Sequence, residues 1–331
     1  QTVCLNLFHK LNIMPEHIIS LNLEDFKNGT AETKQKFVSD LGEAYEKIGF
    51  VAVYNHELSA DLTTHLYAYT KEFYALPLAT KMKYHIDGIA GQRGFTSWGT
   101  EHSKDSTVGD LKEFYHFGQE IPAGLKSQYD YYENVSVDEV PEFHEYGLKA
   151  YAAVQATGKY MLRAIALYLN LEETYFDQYI EYGNSILRPI HYGPIIDAPK
   201  NAVRAGQHED INLITLLMGA SAAGLEVLDK QDNWIPITAL PNQLVVNVGD
   251  MLQRLTNNQL RSTTHRVVNP PKEEWGTTRF SIPFFLHPVS EMRLDCLSSC
   301  VSTENPKVYD DISAGDFLTE RLIEIGLLEK K

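Results

Sequence analysis

The second half of the chain consists of short apolar runs separated by turn residues, and this pattern constrains the fold more than any other feature. Each run has the length of a single strand, and Gly, Pro, Asn and Asp cluster between the runs. Many short strands with such spacing predict a sandwich or a jelly-roll. The runs cover residues 186–192, 213–218, 225–228, 234–237, 244–248, 264–268 and 279–286.

The first half of the chain has helical periodicity instead. Phe37, Leu41 and Tyr45 recur every fourth residue, which places them on one face of a helix. Ser59 is suited to cap a second helix, and a longer helical pattern covers residues 141–171. The N-terminal half is therefore expected to be mainly helical.

These two patterns predict a single domain of mixed α/β class over residues 1–331. Residues 1–182 form a mainly helical N-terminal part, and residues 183–290 form the β core that carries the candidate site. Residues 291–331 form a C-terminal segment, with a last helix near 314–328. We expect the helices to pack around one β core.

Charge and composition exclude several classes of partner. The chain has 29 Lys and Arg against 44 Asp and Glu, a formal net charge of −15, whereas binding to nucleic acid or to an anionic membrane surface needs a basic face. No apolar stretch approaches the roughly 20 residues of a membrane span, and the N-terminus lacks a signal pattern. Three cysteines, Cys4, Cys296 and Cys300, are too few for a disulfide framework. We therefore expect a cytoplasmic protein with a small-molecule partner and leave its oligomeric state open.

His208 and Asp210 form the first part of a candidate metal site. In extended backbone, residues two apart point to the same side, so both side chains could face one ion. A buried-strand signal follows at 211–217, and the mouth of a rigid strand suits a ligand pair. His265, in another strand run, supplies a third ligand. Two imidazoles and one carboxylate are typical of non-haem Fe(II) oxygenases, and they leave positions open for an oxo-acid and O2.

A second His-x-Asp pair, His85 and Asp87, has a different setting. It lies in a polar stretch ahead of Gly88 and Gly91, and no strand signal follows it. We interpret this pair as part of a solvated turn rather than as a second metal site.

Arg279 and Ser281 form a candidate anion clamp. They share one face of their strand, and Phe285 lies on the same face. An arginine fork beside a hydroxyl is a suitable pair of donors for a carboxylate. Alone, the pair would more often be a surface arginine and an unremarkable serine. The candidate metal triad in the same chain makes the clamp the favoured interpretation.

Other short motifs follow one another along the chain in a fixed order. They are EKIGF at 46–50, NH at 55–56, DLKEF at 110–114, RAGQHED at 204–210, GLEV at 224–227, WIP at 234–236, VNVGDM at 246–251 and the segments 262–270 and 279–285. Together they resemble the isopenicillin N synthase-like branch of the 2-oxoglutarate/Fe(II)-dependent dioxygenase superfamily. The resemblance runs from about residue 17 to the C-terminal helix, and the set is specific although each motif alone is weak.

The resemblance implies a fold and a set of roles. The fold is a distorted double-stranded β-helix, a cupin-like jelly-roll with mostly N-terminal flanking helices. His208, Asp210 and His265 correspond to the iron ligands of the family, and Arg279 and Ser281 correspond to the pair that binds the C5 carboxylate of 2-oxoglutarate. The implied cofactors are Fe(II), 2-oxoglutarate as cosubstrate and O2.

The resemblance also assigns positions around the substrate. Tyr192 matches a tyrosine that reaches the cosubstrate or the substrate carboxylate, and Phe285 matches a position that often lines the substrate pocket. Arg188 and Arg204 are equally compatible with structural ion pairs and with substrate contact. The segments that approach the substrate in the family contain Arg93, Phe95, Lys112, Tyr115 and His116.

The implied reaction is the oxidation, usually the hydroxylation, of a small molecule, with release of succinate and CO2. One alternative is an isopenicillin N synthase-like oxidase that does not use 2-oxoglutarate, because there the same Arg-x-Ser pair holds a substrate carboxylate. A non-catalytic jelly-roll is a third hypothesis, and it predicts a degraded triad or clamp, neither of which this sequence has. Desaturation and ring closure use the same residues, and a flavonoid-like ring, an amino acid, a peptide and a nucleobase all stay open as substrates.

Overall fold

The helices of the protein lie mostly in its first half. The structure, a computed structural model, describes residues 18–101, 109–129, 131–196, 203–219, 224–237, 240–325 and 327–328. Cys4 and the N-terminal pattern lie outside these residues. The α-helices are α1 (Leu23–Lys27), α2 (Ala31–Lys47), α3 (Ala60–Ala75), α4 (Leu78–Lys81), α5 (Pro141–Tyr168), α6 (Asp177–Ile180), α7 (Asp250–Leu255) and α8 (Ala314–Glu324).

The strands are concentrated in the second half. Short 3₁₀ segments at Met82–Tyr84, Ala123–Gln128, Lys272–Glu274 and Ser298–Cys300 join some of the elements. The strands are β1 (Ser20–Asn22), β2 (Phe50–Tyr54), β3 (Gly94–Thr96), β4 (Glu113–Gly118), β5 (Ile186–Leu187), β6 (Ile190–Tyr192), β7 (Ala205–His208), β8 (Ile214–Met218), β9 (Leu225–Leu228), β10 (Trp234–Pro236), β11 (Leu244–Val248), β12 (His265–Val267) and β13 (Arg279–Leu286).

Local sequence signals define where the long helices begin. The Ser59 side chain accepts a hydrogen bond from the Leu62 amide at 3.1 Å, so the predicted cap of α3 is confirmed. Thr30 caps α2 in the same way, and α5 has Pro141 at its first position, where the missing N–H costs nothing. The apolar face of α5 packs on the sheet and on α2 and α3.

The β core has two sheets, as expected for a jelly-roll. The larger sheet has the order β1-β2-β11-β8-β13-β5-β4-β3, with β6 joined to β13 and β4. The smaller sheet has the order β10-β9-β12-β7. Apart from the parallel pair β1 and β2, the paired strands are antiparallel. The predicted mixed α/β fold with a jelly-roll core is therefore confirmed.

Several strands were not predicted from the sequence. The mainly helical part contributes β1, β2, β3 and β4 to the larger sheet, and of these only β2 lies in a short apolar run, 49–54, that the sequence alone marks as a strand. All six residues of β4 are buried, so its sequence has no alternation to reveal it. The predicted run 186–192 is divided into β5 and β6 at Pro189, whose ring nitrogen has no hydrogen to donate to a ladder.

Among the described residues, no helix combines the length and the apolar character that crossing a membrane requires.

Candidate metal centre

Two neighbouring strands of the smaller sheet bring the two candidate histidine ligands together. His208 ends β7, His265 begins β12, and the two residues are direct cross-strand partners. Asp210 lies in the turn after β7, and its Oδ1 is 3.9 Å from His208 Nε2 and 3.7 Å from His265 Nε2. One ligand atom from each of the three side chains lies within 4.8 Å of the others. This donor set, two imidazole nitrogens and one carboxylate oxygen, fits Fe(II).

Hydrogen bonds to the backbone fix which ring nitrogen faces the centre. His208 Nδ1 lies 2.7 Å from the Gly206 carbonyl oxygen, and His265 Nδ1 lies 3.1 Å from the Thr263 carbonyl oxygen. A carbonyl can only accept, so each Nδ1 carries the hydrogen and each Nε2 keeps its lone pair. Both imidazoles are thus in the tautomer that binds a metal through Nε2.

The carboxylate of Asp210 is oriented in the same manner. Its Oδ2 accepts hydrogen bonds from Thr215 Oγ1 at 2.7 Å and from Asn247 Nδ2 at 2.8 Å. Thr215 and Asn247 are paired positions on β8 and β11, and both are buried. The second oxygen, Oδ1, is therefore left to face the two imidazoles.

The site holds its ligands in the protonation states that metal binding needs. Burial, followed by the nearby imidazole of His265, lowers the pKa of His208 to about 4. Burial acts to raise the pKa of Asp210, but the two imidazoles and the hydrogen bonds from Asn247 and Thr215 outweigh it, so the pKa is lowered. A neutral imidazole and a charged carboxylate are the forms that bind a divalent metal.

The candidate clamp lies on the larger sheet, facing the same cavity. Arg279 and Ser281 are both buried, at 1% and 4% exposure, and both line the cavity with the triad. Arg279 is the cross-strand partner of Tyr192, and its guanidinium carbon is 4.9 Å from the centre of that ring. The fork and the hydroxyl are donors at the wall of the cavity, where a carboxylate would need them.

The cavity between the two sheets has a volume of about 400 Å³. Phe285 lines it along with alternate residues of β13. Leu318, Leu322 and Ile325, on and just after α8, also line it, so the C-terminal helix contributes to the cavity wall.

Comparison with known proteins relates this arrangement to one superfamily. The sequence profile of the 2OG-Fe(II) oxygenase superfamily matches residues 183–288, which contain the triad and the clamp. The profile described as non-haem dioxygenase in morphine synthesis N-terminal matches residues 18–139. The 2-oxoglutarate-dependent dioxygenase htyE of Aspergillus rugulosus is 31% identical over 323 residues, which cover 91% of this chain and 95% of that protein. The chain belongs to the 2OG-Fe(II) oxygenase superfamily.

Solved structures agree with this assignment of the oxygenase. A 2OG-Fe(II) oxygenase family protein from Caulobacter crescentus is 40% identical with a TM-score of 0.82, covering 93% of this chain and 99% of that one. A full-length Neurospora crassa protein, in complex with alpha-KG and thymine, is 27% identical with a TM-score of 0.82, covering 94% of this chain and 98% of that one. The expected isopenicillin N synthase-like branch is confirmed.

The family assignment answers the question of cofactors. The oxygenase uses Fe(II) and 2-oxoglutarate, with O2 as co-substrate. The alternative of an oxidase without 2-oxoglutarate is not favoured, because the matched relatives are 2-oxoglutarate-dependent and the Neurospora crassa structure contains that compound.

The cavity of the oxygenase has a charged wall that the sequence revealed only in part. The Lys112 ammonium is 2.6 Å from Glu101 Oε1 and 2.8 Å from Asp110 Oδ2. Arg188 Nη1 donates to the same Glu101 oxygen at 3.2 Å. All four side chains line the cavity. Glu101 and Asp110 were not proposed from the sequence, because nothing in their spacing connects them to the triad.

Four other residues that were proposed as substrate contacts do not line this cavity. Phe95 and Tyr115 belong to an aromatic cluster with Phe73. Arg93 is buried and lies against Gly118, so a Cβ on that glycine would overlap its guanidinium. His116 contacts a residue of the cavity wall rather than the cavity itself, because its Nε2 accepts a hydrogen bond from Arg188. Their contact with substrate stays a prediction.

Proposed function

We propose that this oxygenase hydroxylates a small molecule beside an Fe(II) ion held by His208, Asp210 and His265. The observation that carries the proposal is the orientation of the three ligands. Each imidazole directs Nε2 inward because Nδ1 is bonded to the backbone, and Asp210 directs Oδ1 inward because Oδ2 is bonded to Thr215 and Asn247. Such supporting hydrogen bonds are what a metal site needs and what a chance cluster lacks.

The chain's own residues bind and orient the groups that react. When bound, Fe(II) with 2-oxoglutarate supplies the oxidising chemistry that protein side chains lack. We assign to Arg279 and Ser281 the binding of the distal carboxylate of 2-oxoglutarate, because both are buried donors on one face of β13. Tyr192 packs against the Arg279 guanidinium and holds it in place.

The other walls of the cavity exclude water and hold the substrate. Phe285 and the apolar residues of α8 both line the cavity, which limits competing reactions with solvent. A volume of about 400 Å³ lies in the usual range for small-molecule sites. The Neurospora crassa relative that binds thymine supports a substrate of this size.

An anaerobic titration tests the assignment of residues. Fe(II) and then 2-oxoglutarate are added to the apoprotein while the weak visible charge-transfer band of the chelate is recorded. We expect a band in the unsubstituted protein, none in His265→Ala, and one that needs far more 2-oxoglutarate in Arg279→Ala. The matched controls are His85→Ala, from the other His-x-Asp pair, and Arg266→Ala, which removes an arginine paired with Glu226 outside the clamp.

The outcomes separate the two parts of the proposal. Iron binding that survives His265→Ala would contradict the triad, and a band unaffected by Arg279→Ala would contradict the clamp. Succinate release in air, measured for the same variants, should follow the order of the bands. Both controls should keep the band and the succinate yield of the unsubstituted protein.

A further inference from the structure

His287 extends the row of cavity-lining residues on β13 beyond the strand itself. Arg279, Ser281, Pro283 and Phe285 alternate along one face of β13, and His287 continues the alternation just after its end. The row therefore passes from the cosubstrate clamp, past the Phe285 ring, to an imidazole at the far end of the cavity. Nothing in the proposed mechanism uses this imidazole.

The backbone of His287 is fixed while its ring has no partner. Ser185 Oγ accepts from the His287 amide at 3.1 Å and donates to the His287 carbonyl at 3.2 Å. In the described part of the chain, neither ring nitrogen makes a hydrogen bond, and Nδ1 is fully buried. Burial lowers the pKa of His287 to about 4, so the ring is neutral and offers one donor and one acceptor. Because Nδ1 is enclosed by protein, Nε2 is the ring nitrogen that a molecule in the cavity can reach.

Arg188 presents a second polar group to the same cavity. Its guanidinium carbon is 5.0 Å from the centre of the Phe285 ring. Its Nε donates to His116 and its Nη1 to Glu101, and neither hydrogen bond uses the remaining nitrogen, Nη2. Arg188 and His287 both line the cavity. A donor and a neutral imidazole thus face one space beside an aromatic ring.

The charges of the wall argue against an anionic substrate. Arg188 is paired with Glu101, and Lys112 is held between Glu101 and Asp110. Neither of these cations offers an uncompensated charge to a carboxylate. Acidic side chains also outnumber basic ones along the cavity among the described residues, with Glu209 and the ion pair of Glu324 and Arg321 added to the wall. Since Arg279 is assigned to 2-oxoglutarate, an anionic substrate would enter at a cost that the other described cations of this wall do not offset.

We propose that His287 and Arg188 bind the substrate, and that the substrate is an uncharged molecule in which a carbonyl adjoins an N–H, as in a cyclic amide or imide. Arg188 Nη2 donates to the carbonyl, the His287 ring pairs with the neighbouring polar atom, and the Phe285 ring covers the flat part of the molecule. This proposal rests on the proposed function and specifies the class of substrate.

Matched pairs of neutral and anionic probes test the class of substrate. The enzyme is loaded with Fe(II) and 2-oxoglutarate without O2, and binding is measured by calorimetry for thymine against 5-carboxyuracil and for indole-3-acetamide against indole-3-acetate. We expect the neutral member of at least one pair to bind about tenfold more tightly than its acid. Equal or tighter binding of the acids, or no binding of either neutral probe, would overturn the proposal.

Substitution of His287 tests the residue itself. His287→Phe keeps a ring but removes both nitrogens. We expect this variant to bind the neutral probe about tenfold more weakly, while its charge-transfer band with Fe(II) and 2-oxoglutarate stays unchanged. His287→Gln, which keeps a donor and an acceptor, should restore part of the affinity. The control is His65→Phe, a partly exposed position on α3. Unaltered probe binding in His287→Phe would contradict the role, whereas a missing band in the unsubstituted enzyme would contradict the proposed function instead.

Discussion

The atoms that hold Asp210 in place decide how well the site binds iron. Thr215 and Asn247 both donate to Oδ2 and do not reach the ligand side of the carboxylate. We expect Thr215→Val and Asn247→Leu each to weaken Fe(II) binding by about 10–100-fold, because the freed carboxylate then rotates. Equilibrium dialysis against a competing chelator measures this affinity.

A suitable control for these two variants is Thr64→Val on the exposed surface of α3, where the hydroxyl donates to the Ala60 carbonyl. It should leave the affinity for Fe(II) unchanged. Equal affinities in Thr215→Val, Asn247→Leu and the unsubstituted protein would show that the ligand geometry does not depend on these hydrogen bonds.

The buried His287 predicts a pH dependence of stability. Its pKa is about 4 in the folded protein because of burial, below the unfolded value of roughly 6.5, so between these values the unfolded chain binds more protons. Folding stability should therefore be complete above about pH 6.5 and fall as the pH is lowered towards about 4. His287→Phe should remove up to about 1.4 kcal/mol per pH unit of this slope.

Urea unfolding at a series of pH values, with the unsubstituted protein and His287→Phe compared at each, measures this contribution. His65→Phe serves again as the control at a partly exposed position. Parallel stability curves for the unsubstituted protein and His287→Phe between about pH 4 and 6.5 would show that His287 takes up its proton at the same pH in the folded and unfolded states.

The sequence was sufficient to identify the candidate site residues that lie two positions apart in one short motif. His208 and Asp210 are two residues apart, and the Arg279 and Ser281 pair shares one strand face, so periodicity alone put each pair together. His287 belongs to that same alternation, and counting two residues past Phe285 would have found it. Glu101 carried no such signal, because only folding brings it beside Arg188.

At the scale of elements, the strands bounded by clear turn residues were found, whereas β1, β3, β4 and β7 were not. The predicted limits of β9, β11 and β13 agree with the structure. β7 was missed because its sequence, Ala-Gly-Gln-His, has no apolar alternation, although its last residue was singled out as a ligand. The chemistry of a ligand was therefore easier to recognise than the strand that positions it.

The packing of α5 against the sheet predicts a glycine that cannot be enlarged. A Cβ on Gly147 would lie 2.6–2.8 Å from ring atoms of Phe117. Phe117 is fully buried and packs against Tyr115 and Phe143, so its ring has little room to move. We expect Gly147→Ala to lower the free energy of unfolding by about 1–3 kcal/mol.

Chemical denaturation measures this loss, with Gly124→Ala as the control. A Cβ on Gly124 meets no atom within 4 Å, so this substitution should be neutral. Equal stability of the two variants would mean that α5 shifts away from β4 at little cost.

At the scale of the whole molecule, the helical part and the jelly-roll share one sheet. β2 lies between β1 and β11, and β4 pairs with both β5 and β6. The expected boundary near residue 182 therefore separates regions of different composition, and strand pairing crosses it. A chain arranged in this way should unfold as one cooperative unit.

Ligand binding at the metal centre should consequently stabilise both parts together. Fe(II) with 2-oxoglutarate at 100 times the dissociation constant adds about 2.7 kcal/mol to the stability of the state that binds it. We expect a single thermal transition, recorded by far-UV dichroism for the helices and by tryptophan fluorescence, with both signals shifted equally by the ligands. His265→Ala should abolish the shift. Two separate transitions, of which only one responds to the metal, would show that the helical part folds independently of the sheet it contributes to.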